Sequence, residues 1–198
     1  MSATERRPLE TITLTGYKSI RELNSFRLRN GLNVLIGANG SGKTNFIRFF
    51  ELLGNLMDPN KGLQNYVTAR GQADAFLFRG MKVTPELKAH VTFGLNEYKF
   101  TLRAAGDRSL FFAQESAPFA GPMFGAIEND QGSGHRESQI ARLHGTASKK
   151  WVSETIRDWR VYHFHDTSQS APVMGLCNIV DHNHPDISPT ASTGYGKG

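Results

Sequence analysis

The chain has 198 residues, enough for one domain with a sizeable core or one domain with an appendage. No run approaches about 18 consecutive apolar residues, Met1 to Pro8 is charged without an apolar stretch, and Cys177 is the single cysteine, so a membrane span, a secretory signal and an internal disulfide are all excluded as expectations and a cytoplasmic location is expected. A formal net charge of +5, from 23 Lys and Arg against 18 Asp and Glu, is compatible with a polyanionic partner.

Residues 9 to 36 read as three β segments. Leu9 to Thr15 alternates Ile12 and Leu14 with threonines, Ser25 to Arg29 alternates Phe26 and Leu28 with charges, and Leu32 to Ile36 is a short apolar run between Gly31 and Gly37. The last of these has the character of a strand buried in a parallel sheet. Arg6, Arg7, Lys18, Arg21, Arg27 and Arg29 crowd this region, either as a DNA-contacting surface or as an ordinary solvated face of the first sheet.

Residues 37 to 44 read Gly37-Ala38-Asn39-Gly40-Ser41-Gly42-Lys43-Thr44, a complete G-x-x-x-x-G-K-[ST] loop. Its chemistry lies in the backbone. Gly37, Gly40 and Gly42 are expected to take positive φ and turn N–H groups inward around a phosphate, and a helix starting at about Lys43 aims its positive end at the same anion. Lys43 then reaches the β- and γ-phosphates, and the Thr44 hydroxyl is the expected Mg²⁺ ligand. The glycines are not spaced G-x-G-x-x-G, which excludes a dinucleotide fold. After the loop, Phe46, Ile47, Phe49, Phe50, Leu52, Leu53, Leu56 and Met57 recur at helical spacing until Pro59 and Gly62.

Asp58 to Gly80 is rich in Gly, Asn and Gln, with a short apolar piece at Ala75 to Phe78. Leu87 to Gly94 and Glu97 to Arg103 form a predicted hairpin about Leu95-Asn96, and Ser109 to Gln114 adds a strand. These strands read as an antiparallel patch inserted after a parallel βα start. Residues 117 to 134, with Pro118, Pro122 and several glycines, read as a loop. Residues 137 to 159 carry Ile140, Leu143, Ala147, Trp151, Val152, Thr155, Ile156 and Trp159 on one helical face, with Gly145 as a possible break. Arg160 to His165 is a strand candidate, and residues 174 to 198 read as an irregular tail.

Hydrolysis needs more than a phosphate loop: an apolar strand ending in an acidic Mg²⁺ partner, and a group that positions water. Leu176-Cys177-Asn178-Ile179-Val180-Asp181 and Val161 to Asp166 are weak matches, because Asn178 interrupts the first run and His182 stands where a glutamate is needed. The catalytic residues are thus not assigned. His163, His165, Asp166, Cys177, His182 and His184 match no zinc spacing and are read as ordinary side chains, so no metal is expected beyond Mg²⁺ on the nucleotide. With no N-K-x-D guanine motif, a small kinase or GTPase is disfavoured.

The string Ile36 to Asn45, preceded by Thr15-Gly16-Tyr17-Lys18-Ser19-Ile20, resembles the head domains of the RecF, SMC and OLD group of ABC-type ATPases. Ile156 to Ser168 resembles the corresponding part of RecF-like bacterial AAA-type ATPases, so that the resemblance covers about residues 9 to 173. It implies an α/β P-loop NTPase, an ABC-type head with a mixed central sheet, an antiparallel β subdomain over residues 63 to 115 and the start of a helical lobe. The implied cofactors are ATP and Mg²⁺, held by Gly37, Ala38, Asn39, Gly40, Ser41, Gly42, Lys43, Thr44 and Asn45, with Gln114 in the place of a Q-loop glutamine. The implied activity is ATP hydrolysis coupled to DNA binding, repair or phage defence. The implied partners are DNA, a second copy, or a full-length relative or nuclease. Family members continue into a signature motif, an acidic strand with its glutamate and a switch histidine. Their lack here is expected of a truncated or split member, which makes a non-hydrolysing nucleotide-binding module the alternative reading.

Overall fold

The computed structural model describes residues 8–121, 125–142 and 146–162. The chain divides into one unit over Met1–Arg160 and another over Val161–Gly198. Of the second unit only Val161 and Tyr162 are described, and they lie in no regular element. The rest of the Arg160–His165 strand candidate and the tail 174–198 fall outside the described residues.

Alternation builds the sheet. Strands β1 (Thr11–Tyr17), β2 (Ile20–Arg27), β3 (Glu86–Phe93), β4 (Asn96–Ala104), β5 (Leu110–Ser116), β6 (Phe119–Gly121) and β7 (Gly125–Ile127) join in the order β2-β1-β3-β4-β6-β7, with β5 also on β4. Every pairing among the described residues is antiparallel. Ile12 and Leu14, then Leu87, Ala89, Val91 and Phe93, then Tyr98, Phe100 and Leu102 are all buried, while the threonines and charges between them take the other face. On the buried face lie α1 (Lys43–Met57), α2 (Gly62–Ala69) and α3 (Ala147–Arg157). Phe49, Leu52, Leu53, Leu56 and Met57 of α1 and Val152 and Ile156 of α3 complete one core with the sheet.

Several expectations shift. The antiparallel sheet begins at β1, and residues 63–115 also hold most of α2, so the β subdomain is not a separate insertion. β2 starts five residues earlier than the Ser25 start expected from alternation, because Ser25 at φ 45 breaks its pattern and turns its N–H to Thr13 Oγ1. The β3–β4 turn is Gly94-Leu95, one residue before the expected pair, with Gly94 at φ 66. Within 117–134, β6 and β7 form a short hairpin.

The expected helix over 137–159 is confined to Ala147–Arg157. Its first part forms a strap instead. Glu137 takes the N–H groups of Leu63 and Gln64 at 2.6 and 3.1 Å, capping α2, while Ser138 Oγ and the Gln139 N–H donate to Glu115. Ile140 and Ala141 are buried, as their apolar character demands, but in a segment bonded through side chains, outward from Glu137, Ser138 and Gln139 and locally from the Ala141 N–H to Ser138 Oγ, rather than along a helix.

Candidate functional site

The Gly37–Thr44 loop lies between the irregular segment Leu32–Ile36 and α1. Its start is fixed by Asn33, whose side chain accepts from the Arg29 N–H at 2.9 Å and donates to the carbonyls of Arg29 and Gly31 at 2.8 and 3.2 Å. The segment Leu32–Ile36 belongs to no strand. Leu32, Val34 and Ile36 are 89%, 66% and 92% exposed, which overturns the expectation of a buried strand. The cause is physical: an apolar strand is buried only when neighbouring strands and covering helices are present, and the described residues place neither beside it.

Within the loop, Gly40 and Gly42 take φ 83 and 94, a region costly for a residue with a Cβ. Gly37 does not take positive φ, which corrects that part of the reading. Its need for glycine is space, since a Cβ there would stand 2.9 Å from Ser41 Oγ. The loop closes with the Ser41 N–H on the Ala38 carbonyl at 3.2 Å.

Lys43 folds onto this loop. Its ammonium donates to the carbonyls of Gly37 and Ala38 at 2.6 and 2.7 Å and to Ser41 Oγ at 3.3 Å, so all three of its donors are engaged. Helix α1 begins at Lys43, where expected, with no side-chain cap and no acidic residue in its first turn. Its first N–H groups and positive dipole end are therefore open to an anion. Thr44 is exposed, and its hydroxyl makes no hydrogen bond among the described residues.

The segment Gly16 to Ile20 has a structural task that its sequence alone does not reveal. Gly16 takes φ 74, and a Cβ there would lie 2.6 Å from the Glu86 carbonyl, so only glycine lets β1 pass β3. Ser19, in the turn to β2, accepts from Asn45 Nδ2 at 2.8 Å and would lie 3.3 Å from a Cβ on Gly42. The turn thus braces the start of α1 across 26 residues of sequence. Phe26 of β2 packs edge-on against Phe46 with ring centroids 5.4 Å apart. Between β2 and the loop runs an open groove of about 470 Å³, walled by Ile20, Leu23, Phe26, Leu35 and Phe46 with Lys43 and Ser41 at one end, within the size range of small-ligand sites.

Beside this turn lies a basic cluster. Lys18 donates to the Ala75 carbonyl at 2.7 Å and sits 4.5 Å above the Phe76 ring. Burial, then Arg48 and Arg70, hold its pKa below the ordinary lysine value, with Glu51 opposing. Tyr66 donates to Glu51 at 3.2 Å, and burial followed by that carboxylate pushes its phenol up to about 12. The Tyr17 hydroxyl is buried without a hydrogen-bond partner among the described residues, and burial raises its pKa further still.

Gln114 does not join the loop. It lies on the outer face of the sheet, in a groove it shares with Thr13, Lys88 and Lys99. The candidates Asp166 and Asp181, and the histidines from His163 onward, fall outside the described residues.

Sequence reasoning missed a second polar centre. Glu115 is fully buried and accepts from Tyr98 Oη at 2.8 Å, Ser138 Oγ at 2.5 Å, the Gln139 N–H at 2.8 Å and His135 Nε2 at 2.9 Å. Four donors saturate the carboxylate. His135 stacks on Phe112 with centroids 4.9 Å apart.

A family model described as AAA domain, putative AbiEii toxin, Type IV TA system matches residues 32–168. A solved chain from the structural biochemistry of ATP-driven dimerization and DNA stimulated activation of SMC ATPases aligns at 16% identity with a TM-score of 0.39, over 72% of this chain and 87% of its own. No curated protein matches.

Proposed function

Since the chain belongs to the AAA domain family described as putative AbiEii toxin, Type IV TA system, a P-loop ATPase class, we propose that Gly37–Thr44 holds the triphosphate of ATP and that Thr44 ligates the accompanying Mg²⁺. The observation that carries this reading is the loop itself. Glycines at φ 83 and 94 lead into an uncapped helix, and a lysine is held against the loop carbonyls. The residues fit the cofactor. Open N–H groups and the helix dipole favour an anion, and the Lys43 ammonium can exchange carbonyl partners for phosphate oxygens at little cost in hydrogen bonds. Asn45 and Ser19 keep the start of the helix in register with the loop. The groove between β2 and the loop takes the nucleoside, with apolar walls for the base. Mg²⁺, when bound, supplies charge neutralisation at the phosphates.

The proposal extends to ATP hydrolysis and to a DNA partner met through Arg21, Arg27 and Arg29, in a setting of DNA repair or phage defence. The basic balance of the chain and its family membership support that extension.

Equilibrium binding of a fluorescent ATP analogue with Mg²⁺, beside Lys43→Ala, tests the reading. The wild-type chain is expected to bind, and the variant to lose on the order of 100-fold in affinity, about 2.7 kcal/mol. Equal binding by both would sink it. Phosphate release that vanishes in the same variant separates an ATPase from a nucleotide-binding module.

A further inference from the structure

The dipeptide Asn-Gly occurs twice in the chain, at Asn30-Gly31 and, inside the phosphate loop, at Asn39-Gly40. The second pair is the chemically open one. Asn39 and Gly40 are the exposed central residues of the turn from Ala38 to Ser41, whose closing hydrogen bond is 3.2 Å long. Neither the Asn39 side-chain amide nor the Gly40 N–H has a hydrogen-bond partner among the described residues. A Cβ placed on Gly40 would meet nothing within 4 Å, so neither a side chain of its own nor the surrounding protein hinders this peptide. Around Asn30, by contrast, Asn33 holds the Arg29 N–H and the carbonyls of Arg29 and Gly31.

We propose that Asn39 is a self-modification site of the empty loop, at which the Gly40 main-chain nitrogen attacks the carbonyl carbon of the Asn39 side chain. A C–N bond forms, the side-chain amide leaves as ammonia and carries off the Gly40 amide proton, and a cyclic imide remains. Water then opens the ring at either carbonyl. Opening at the side-chain carbonyl leaves an aspartyl residue. Opening at the main-chain carbonyl frees the α-carboxyl and routes the chain through the side chain, which lengthens it by a carbon. Both products place a carboxylate where the charge of a triphosphate gathers, and the longer one also shifts Gly40 and Gly42 from the torsions, φ 83 and 94, that shape the loop. Bound nucleotide shields the site, an inference that rests on the phosphate-loop reading: the Gly40 N–H is among the groups that cradle the phosphates, and while it donates to a phosphate oxygen its nitrogen cannot close on Asn39. Modification therefore strikes the empty loop and spares the loaded one, and Asn39 keeps a one-way record of the time spent without nucleotide.

Peptide mass spectrometry of the full chain, held without nucleotide in mildly alkaline buffer, reads the reaction while the released ammonia is counted. Conversion of Asn39 to a mixture of aspartyl and isoaspartyl forms is expected to run ahead of conversion at Asn30. Asn39→Gln is expected to remove this ammonia release and to leave that from Asn30. With Mg²⁺ and ATP at about 100 times the dissociation constant, Asn39 is expected to convert about 100-fold more slowly, because only the empty fraction reacts, while Asn30 keeps its rate. Lys43→Ala at the same ATP concentration is expected to lose the shielding. Asn39→Asp, which carries the charge of the product, is expected to weaken binding of an ATP analogue by about tenfold or more at an unchanged melting temperature. An empty loop in which Asn39 stays intact or converts no faster than Asn30, or an undiminished rate in a chain shown to be loaded with ATP, would each overturn the proposal. A chain that binds no ATP yet converts Asn39 ahead of Asn30 would overturn the phosphate-loop reading and uphold the reactive site, so the two failures are distinguishable.

Discussion

Strand β3 and the segment Leu32–Ile36 carry the same kind of pattern and meet opposite fates. In β3, Leu87, Ala89, Val91 and Phe93 occupy alternate positions and none is more than 5% exposed; in the other, Leu32, Val34 and Ile36 do the same and none is less than 66% exposed. The difference lies in the neighbours. β3 is paired on both edges, to β1 and β4, and its apolar face meets the core with α1 and α3. Leu32–Ile36 is paired on neither edge among the described residues. Alternation is therefore a statement about what a segment can bury, and the surrounding chain decides whether it does.

Introducing the same charge into both regions gives the widest contrast. Val91→Asp puts an unpaired carboxylate into the core and is expected to cost about 4 kcal/mol or more in chemical denaturation. Val34→Asp is expected to change stability by less than about 0.5 kcal/mol. A large loss from Val34→Asp would mean that Leu32–Ile36 is packed within the monomer, and would erase the comparison.

Glu115 marks the next step down in size. Glu115→Ala strips the acceptor from Tyr98, Ser138, His135 and the Gln139 N–H at once, and a loss of about 3 kcal/mol is expected in urea unfolding. The strap should loosen with it, seen as faster amide exchange at Leu63 and Gln64, whose N–H groups depend on Glu137. Unchanged exchange there would show that the strap holds without Glu115.

The same residue shows where legibility ended. Ser109–Gln114 was readable as a strand, and Leu110 and Phe112 do face inward, so strict alternation sends Gln114 inward as well. The ladder slips between Thr101 and Leu102, where Leu102 pairs with Phe112 and Thr101 with Gln114, leaving Ala113 extra. That bulge turns Gln114 out and Glu115 in, and a two-residue period cannot announce it. The phosphate loop, by contrast, was legible residue by residue, because its chemistry is local: glycine torsions, a helix start and one lysine. The brace on it was not. Ser19 and Asn45 meet only because β1 and α1 pack together, and nothing within either segment encodes the distance. The strap escaped for a related reason, since Ile140 and Ala141 have helical spacing while the segment's polar groups find partners elsewhere.

That brace predicts a smaller effect. Ser19→Ala and Asn45→Ala each delete one hydrogen bond between exposed groups, worth about 1 kcal/mol. Each should weaken nucleotide affinity a few-fold, and the double variant should be no worse than either single one if the bond is their only shared role. Additive losses would mean that the two side chains act on the nucleotide separately.

The smallest expected effect belongs to the solvated face of the sheet. Glu86 accepts from Lys88 at 2.9 Å and from Arg103 at 2.7 Å, and those two hydrogen bonds, Lys88 first, hold its pKa below the ordinary glutamate value. A carboxyl whose folded pKa is depressed stabilises the fold above its unfolded pKa, and the gain disappears as pH falls through the folded value. Arg103→Ala should therefore cost about 0.5 kcal/mol near pH 7, and the wild-type and variant stability curves should converge as the solution is acidified below the glutamate range. The arginine side chain is 57% exposed, so added salt should shrink the difference at pH 7 as well. A gap that persisted at low pH would assign the loss to the packing of the arginine stem across β4 rather than to its charge.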